Sequence, residues 1–137
     1  MSDQFTPYAL VADDDALIRL DAVSILEDAG FRVHEANNVE EALAILDAAP
    51  ASIQLLFTDV HMPPGARTGF DLARECAEKW PHVGILVASG MAKPRPGDLP
   101  DGAVFIQKPF SADVVIEHLQ NILPDGRKPE RLLKRAT

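Results

Sequence analysis

The sequence LLFTDVHMPPG, residues 55–65, contains the pattern that decides the fold. The apolar run Leu55–Phe57 ends at Thr58 and Asp59, and two prolines and a glycine interrupt the chain soon afterwards. A short apolar run bounded by turn residues is typical of a buried strand. The sequence therefore predicts a strand that ends at Asp59 and a loop directly after it.

On both sides of this strand, short apolar runs alternate with longer stretches whose apolar residues have helical spacing. Besides residues 55–57, the predicted strands cover residues 8–12, 31–36, 85–88 and 103–107. The helices lie between them, and Asp15, Asn38 and Ser111 are the predicted N-caps. This alternation predicts an α/β fold with a doubly wound, five-stranded parallel sheet.

The connection between the fourth and fifth strands departs from this alternation. Residues 90–102 include Pro94, Pro96 and Pro100, together with Gly97. A proline inside a helix costs roughly 3 kcal/mol, because it removes a backbone donor and its ring clashes with the preceding turn. We therefore expect the fourth helix of the fold to be short or absent.

Composition indicates one globular domain, with 137 residues, 47% of them hydrophobic, and a net charge of −8. We assign residues 1–7 to an N-terminal tail, 8–123 to the domain and 124–137 to a basic C-terminal tail. The acidic domain disfavours nucleic-acid binding, and the absence of a membrane-length apolar run or a secretion signal predicts a cytoplasmic protein. The tail is expected to be solvated, with a fraying helix or a docking peptide as alternatives.

Polar side chains follow four of the five predicted strands. Asp13 and Asp14 follow the first strand, Asp59 ends the third, and Ser89 and Lys108 follow the fourth and fifth. Parallel sheets bind ligands at the carboxyl ends of their strands, so these side chains should converge at one edge. Each has an ordinary alternative, namely a solvated acidic loop, a turn serine or a Lys-Pro junction, but the joint pattern favours a shared site.

Clustered carboxylates repel one another and favour a divalent cation, for which Mg²⁺ is well suited because it prefers oxygen ligands. Lys108 adds a positive charge, and Ser89 adds a hydroxyl donor. These groups are sufficient to place a phosphoryl group on a carboxylate: a nucleophile, a metal and donors for the developing charge.

The sequence resembles the receiver domain of bacterial response regulators in the two-component signalling system. The resemblance covers residues 8–123 and rests on five segments: LVADDD (10–15), LLFTDVHMP (55–63), GFDL (69–72), ILVASG (85–90) and FIQKPF (105–110). It implies a flavodoxin-like receiver fold, with a cis peptide bond between Lys108 and Pro109.

The resemblance also implies roles for individual residues. Asp59 is the phosphoryl acceptor. The Mg²⁺ ligands are Asp14 directly, Asp13 largely through water, Asp59, and the backbone carbonyl of His61. Ser89 is the switch hydroxyl, and Lys108 contacts the phosphoryl group. The remaining switch residue is Phe105, an aromatic side chain whose rotamer follows the hydroxyl.

Two departures from the family pattern affect these expectations. Residues 64–68 make the loop beside Asp59 longer than in many receivers, so the loop could cover the site, and Arg67 could reach an anion there. The Pro-rich connection puts in doubt signalling through the surface that the family's fourth helix forms. Only 14 residues follow Leu123, too few for an output domain, so output is expected to come from partners.

His61 and Met91 are expected to set the lifetime of the phosphoryl group, because each lies two residues past a site residue. Methionine cannot orient an attacking water through strong hydrogen bonds, so Met91 should shield the phosphorus. Histidine could assist or obstruct hydrolysis according to its protonation. The alternative is that Met91 packs into its loop and His61 faces solvent.

The leading hypothesis is a stand-alone response regulator that takes a phosphoryl group from a histidine kinase or a histidine phosphotransfer protein. It would signal by binding a downstream target protein, as a monomer or as a phosphorylation-dependent dimer, with slow autodephosphorylation rather than enzymatic turnover. One alternative is a binding module that has lost phosphorylation. Another is an aspartyl-phosphate hydrolase, which is disfavoured because His61 stands where a second catalytic aspartate would be expected.

Overall fold

The computed structural model describes residues 7–135 and contains one five-stranded sheet. The strands are β1 (Tyr8–Ala12), β2 (Arg32–Ala36), β3 (Ile53–Asp59), β4 (Gly84–Ser89) and β5 (Val104–Gln107). The helices are α1 (Ala16–Asp28), α2 (Val39–Ala48), α3 (Gly69–Lys79), α4 (Ala112–Ile122) and α5 (Glu130–Arg135), with a 3₁₀ turn at Asp125–Arg127. None of the helices within this described range is long and apolar enough to span a membrane.

The strands are all parallel, and their order is β2-β1-β3-β4-β5. This confirms the predicted doubly wound sheet. The order places β1 and β3 side by side at the centre, with Ala12 opposite Thr58. Asp13 and Asp59, which follow this pair in the two strands, are therefore neighbours at the carboxyl edge.

Side-chain alternation along the strands divides the core between the two faces of the sheet. Val11 of β1 and Phe57 of β3 pack with Leu26 of α1 and Leu119 of α4. On the opposite face, Leu10, Leu56 and Val87 pack with Leu46 of α2 and Leu72 of α3. The two layers hold the carboxyl ends of the strands in fixed positions.

Local sequence signals determine where the helices begin. The side chains of Asp15, Asn38 and Ser111 accept backbone N–H groups in the first turns of α1, α2 and α4, as predicted. Thr68 and Asp71 form a capping box at the start of α3. These four helices therefore begin at positions that their own sequences specify.

The connection between β4 and β5 contains no helix between Gly90 and Ala103, which confirms the prediction from its prolines. This segment is called the Pro-rich loop below. Leu99 and Ala103 pack against the α2/α3 side of the core, so the loop covers part of the sheet that a helix would otherwise cover. Arg74 of α3 donates to the carbonyl oxygen of Asp98 at 2.8 Å and holds the far end of the loop.

The C-terminal segment contradicts one expectation from the sequence. Residues 124–137 were expected to form a solvated tail, but Leu132 is completely buried in the α1/α4 side of the core. Its carbonyl oxygen accepts from Gln120 Nε2 at 2.8 Å, and Arg127 donates to the buried Gln54 at 2.7 Å. The predicted N-terminal tail lies outside the described residues except for Pro7, which is buried.

Candidate functional site

The turn after β1 fixes the first carboxylate of the site. The backbone N–H of Asp13 donates to the carbonyl oxygen of Ala36, which extends the β1–β2 pairing by one residue. Asp13 Oδ1 accepts the backbone N–H of Asp15 at 2.9 Å, and Asp13 is only 2% exposed. Asp14 is exposed at the edge of the site. The buried Asp13 is therefore held rigidly, whereas the Asp14 side chain faces solvent.

The end of β3 fixes the second carboxylate. Asp59 Oδ1 accepts the backbone N–H of Val60 at 2.8 Å, and Thr58 Oγ1 donates to the Asp59 carbonyl oxygen at 2.8 Å. The N–H of Gly69, at the start of α3, donates to the Val60 carbonyl oxygen at 2.8 Å. A Cβ atom at position 69 would overlap the Asp59 carbonyl group. Only glycine allows α3 to approach the end of β3 so closely.

Lys108 joins the two carboxylates. Its Nζ atom lies 3.0 Å from Asp13 Oδ2 and 3.2 Å from Asp59 Oδ1. Its backbone N–H donates to the Ser89 carbonyl oxygen at 3.0 Å, which fixes the end of β5 beside β4. The Lys108–Pro109 peptide bond is cis, as the resemblance implied. The lysine is thus positioned by its backbone as well as by its charge.

Burial and charge shift the pKa values of this group. Burial, followed by the negative charge of Asp13, raises the pKa of Asp59, and Lys108 opposes the rise only in part. Burial lowers the pKa of Lys108, but its hydrogen bonds and attraction to Asp13 and Asp59 outweigh that effect, so the Lys108 pKa is raised. Both pKa values are raised, with opposite consequences for charge: the rise favours neutral Asp59, which faces one anion as well as one cation, and it favours charged Lys108, which faces two carboxylates.

Asp13, Asp14 and Asp59 could hold a metal ion together. One carboxylate oxygen from each lies within 4.8 Å of the others. A single lysine cannot neutralise three carboxylates, so the cluster retains negative charge that a divalent cation would compensate. Hard carboxylate oxygens around one point are the ligands that Mg²⁺ prefers. The residues of the site therefore fit Mg²⁺.

The predicted switch residues lie on the two strands that follow β3 in the sheet. Ser89 is buried, and its Oγ atom accepts the backbone N–H groups of Met91 at 3.3 Å and Ala92 at 3.0 Å. Phe105 is half-buried, with its ring centroid 6.5 Å from that of Phe70. The structure thus connects Ser89 to the start of the Pro-rich loop.

The two residues predicted to control dephosphorylation are both on the surface. His61 is exposed, as the alternative expects, but Met91 is 90% exposed, so the part of the alternative in which Met91 packs into its loop is wrong. The effect of either residue on the phosphoryl lifetime stays a prediction.

Arg67 binds carboxylates that lie outside the Asp13–Asp14–Asp59 cluster. Its guanidinium donates to Glu40 of α2 at 2.7 Å and to Glu75 of α3 at 2.9 Å. The expectation that Arg67 reaches an anion at the site is therefore wrong, because two carboxylates on neighbouring helices bind it instead.

Sequence reasoning missed Arg19. Its Nη1 atom donates to the carbonyl oxygen of Asp13 at 2.7 Å, and the side chain is only 17% exposed. The available signal was weak: a basic residue one helical turn after the N-cap Asp15. Nothing in that spacing indicates a backbone carbonyl as the partner.

An acidic cluster and a lysine that meet at the carboxyl edge of a β2-β1-β3-β4-β5 sheet define a class of phosphorylation-dependent signalling domains. Residues 9–120 match the model of the response regulator receiver domain family. The chain belongs to this family of two-component signalling domains, and the predicted family and fold are confirmed.

Two curated relatives illustrate the range of proteins with this domain. The response regulator receiver protein CpdR of Brucella abortus is 32% identical over 117 residues, covering 83% of this chain and 94% of CpdR. The sensor kinase CckA of the same organism is 35% identical over 107 residues, covering 74% of this chain but only 11% of CckA. The chain thus spans nearly all of one relative and a small part of the other.

Solved structures of receiver domains share the fold of this chain. A response regulator receiver protein from Sinorhizobium medicae is 29% identical with a TM-score of 0.76, covering 85% of this chain and 94% of that one. The receiver domain of the hybrid histidine kinase CckA is 26% identical with a TM-score of 0.72, covering 85% and 99%. Phosphoryl acceptance, Mg²⁺ binding at an acidic pocket and interaction with histidine kinases or phosphotransfer proteins are general properties of the family.

Proposed function

We propose that this protein is a stand-alone response regulator receiver that accepts a phosphoryl group on Asp59. The observation that carries the proposal is the position of Asp59, largely buried at the end of β3 and 3.2 Å from Lys108 Nζ. The carboxylates of Asp13 and Asp14 lie within 4.8 Å of it. The acceptor therefore has a cation on one side and a metal-binding pair on the other.

The hydrogen bonds of Asp59 assign different roles to its two oxygens. Oδ1 receives the Val60 N–H and contacts Lys108 Nζ, so much of its acceptor capacity is used. Oδ2 is the proposed nucleophile. It attacks the phosphorus of a phosphohistidine, the P–N bond breaks, and the electron pair of that bond leaves with the imidazole.

Asp13, Asp14, Asp59 and the backbone carbonyl of His61 would hold Mg²⁺ in the proposed site. The ion would neutralise charge on the transferred phosphoryl oxygens. Lys108 is already within reach of Asp59 and would donate to one of these oxygens. Ser89 would donate its hydroxyl hydrogen to another, while its oxygen continues to accept from the loop.

An apolar surface beside the site suits a protein phosphodonor. Leu17 is 78% exposed and Leu20 is 62% exposed on α1. A cavity of about 390 Å³ lies next to them, lined by Ile18, Pro109 and Phe110 among others. Because this surface borders Lys108, a histidine kinase or a histidine phosphotransfer protein bound there could bring its phosphohistidine to Asp59.

The output is proposed to be phosphorylation-dependent binding of a downstream protein, by a monomer or a phosphorylation-dependent dimer. The near-complete coverage of CpdR supports a stand-alone receiver. The negative net charge argues against nucleic acid as the target. The proposal places the protein in the cytoplasm, where ATP for a histidine kinase is available. The protein acts as a substrate and self-catalyst of phosphotransfer rather than as a turnover enzyme.

Incubation with acetyl phosphate and Mg²⁺ tests the proposed chemistry. The intact mass should increase by one phosphoryl group in the wild-type chain and should not increase in Asp59→Asn. Asp101→Asn, which removes an exposed carboxylate outside the site, is the matched control and should be labelled normally. Labelling that persists in Asp59→Asn would assign the acceptor elsewhere.

The same experiment separates the competing functions. A binding module without phosphorylation would give no adduct with any donor. An aspartyl-phosphate hydrolase would release phosphate continuously with many turnovers per protein. A slowly decaying adduct that requires Mg²⁺ supports the receiver.

A further inference from the structure

Arg19 makes a set of contacts that the phosphotransfer chemistry does not use. Its Nη1 atom donates both to the Asp13 carbonyl oxygen at 2.7 Å and to Asn37 Oδ1 at 2.8 Å. Its Nε atom donates to Glu35 Oε1 at 3.0 Å. The guanidinium thus connects the turn after β1 with the end of β2 and the residues that follow it.

The Asp13 carbonyl belongs to the peptide that leads directly into Asp14. The other polar groups of Asp13 are also bound: its N–H to Ala36, and its two carboxylate oxygens to Asp15 and Lys108. Arg19 is therefore the contact that fixes the carbonyl side of this residue. Rotation of the Asp13–Asp14 peptide would change the direction of the Asp14 side chain relative to Asp13 and Asp59.

The partner of Arg19 is itself held in place. The backbone N–H of Asn37 donates to Glu41 Oε1 at 2.9 Å, and Asn37 Oδ1 then accepts from Arg19. This chain of contacts runs from α2 through Arg19 to Asp13. It gives the turn after β1 a second attachment, independent of the α1 N-cap.

We propose that Arg19 is a positioning residue that orients the Asp13–Asp14 pair for binding a divalent cation. The inference rests on the proposed function, because it assigns Asp13 and Asp14 to the Mg²⁺ site. Arg19 acts through the Asp13 backbone and does not contact the ion. Residues that orient metal ligands commonly affect metal affinity by about 10- to 100-fold when they are replaced.

The charge of Arg19 alone has the opposite effect on metal affinity. A cation near an acidic cluster repels Mg²⁺, so its removal would tighten binding if Arg19 acted only electrostatically. Loss of orientation would weaken binding. The direction in which Mg²⁺ affinity changes therefore distinguishes the two roles: weaker binding indicates that Arg19 positions the ligands, and tighter binding indicates that it acts only as a nearby charge. A surface ion pair with Glu35 alone would give no weakening.

The test is titration of Mg²⁺ into the full-length chain by isothermal calorimetry. Arg19→Met should weaken binding by about tenfold or more. Lys108→Met is the charge control: it also removes a cation next to Asp13, and it should tighten binding instead. Arg19→Lys should recover part of the affinity, because an ammonium can reach the carbonyl but cannot bridge all three acceptors. Glu35→Gln should change affinity less than twofold.

A second readout does not depend on the metal. Hydrogen exchange of the Asp15 amide in metal-free buffer should be faster in Arg19→Met, because the turn that carries the Asp13–Asp15 hydrogen bond is less restrained. Unchanged exchange, or Mg²⁺ binding as tight as in the wild type, would overturn the positioning role. If the wild type binds no Mg²⁺ while the exchange rate still rises, the metal assignment fails and Arg19 supports only the turn.

Discussion

The Asp59 side chain lies between a cation and an anion. Lys108 Nζ is 3.2 Å from its Oδ1 atom, and the same lysine contacts the Asp13 carboxylate at 3.0 Å. Burial and the charge of Asp13 together outweigh Lys108, so the pKa of Asp59 is raised from its usual value of 3.8. Phosphotransfer requires the ionised form, which is the form that the folded protein destabilises.

Because the raised pKa favours protonated Asp59, its contribution to stability is complete below pH 3.8 and is lost as pH increases through the raised pKa. We therefore expect Asp59→Asn to unfold at a higher temperature than the wild type at pH 7 in buffer with a metal chelator. The gain should be about 1 kcal/mol, or an increase of roughly 4 °C in Tm.

Differential scanning calorimetry at pH 7 and pH 3.5 measures this effect. The difference in Tm between Asp59→Asn and the wild type should become smaller at pH 3.5, where the wild-type carboxyl is also largely neutral. Asp101→Asn is the control for removal of a negative charge outside the site. A wild type that is more stable than Asp59→Asn at pH 7 would contradict the raised pKa.

At the scale of elements, the Pro-rich loop is attached at both ends. Ser89 Oγ accepts from Met91 and Ala92 at its start, and Arg74 donates to the Asp98 carbonyl near its end. Arg95 and Asp98 close a turn through the bonds from Arg95 N to Asp98 Oδ2 and from Asp98 N to the Arg95 carbonyl. Side chains therefore provide hydrogen bonds that a helix would have supplied from its own backbone.

Ser89→Ala should loosen the start of this loop. Without the hydroxyl acceptor, the amides of Met91 and Ala92 should exchange with solvent about fivefold faster, which corresponds to a hydrogen bond of roughly 1 kcal/mol. Ser89→Thr keeps the hydroxyl and is the matched control. Exchange measured by NMR that is the same in Ser89→Ala and the wild type would contradict the assignment of Ser89 Oγ as the acceptor.

Elements specified by neighbouring residues could be predicted from the sequence, whereas long-range partners could not. Asp15 and Ser111 cap helices three residues or fewer away, and the prolines of residues 94–100 exclude a helix by their own chemistry. The nearness of Arg67 to Asp59 in the sequence suggests that Arg67 could reach an anion at the site. Its partners are Glu40, 27 residues away, and Glu75, which only the packing of α2 against α3 brings together.

The convergence of the site could also be predicted, because parallel strands place their carboxyl ends at one edge. Asp13, Asp59 and Lys108 meet there although consecutive members are 46 and 49 positions apart in the sequence. The roles of Arg19 and Gly69 could not be predicted from the sequence, because each residue contacts a backbone carbonyl group rather than a side chain. Every residue has a backbone carbonyl, so a contact with one cannot be recognised from the type of the partner residue.

At the scale of the whole molecule, the C-terminal segment completes the end of the domain opposite the site. Arg127 contacts Gln54 at the beginning of β3, and Pro129 packs on Gly30 just before β2. Both contacts lie at the amino ends of the strands, whereas Asp13 and Asp59 lie at the carboxyl ends. The sequence could not indicate this packing, because two adjacent leucines among basic residues also suit an exposed segment.

Leu132→Ala should destabilise the protein by about 3 kcal/mol and lower Tm by on the order of 10 °C, because it leaves a cavity where a fully buried side chain packs. Leu133→Ala, at the half-buried neighbouring position, is the matched control and should have a clearly smaller effect. Thermal unfolding followed by circular dichroism measures both.

Labelling of the folded protein with acetyl phosphate should be unchanged in Leu132→Ala, since the lost contact is at the far end of the sheet from Asp59. Equal Tm values for Leu132→Ala and the wild type would mean that the C-terminal segment is not part of the folded core. A loss of labelling without a loss of stability would mean that the segment acts on the site itself.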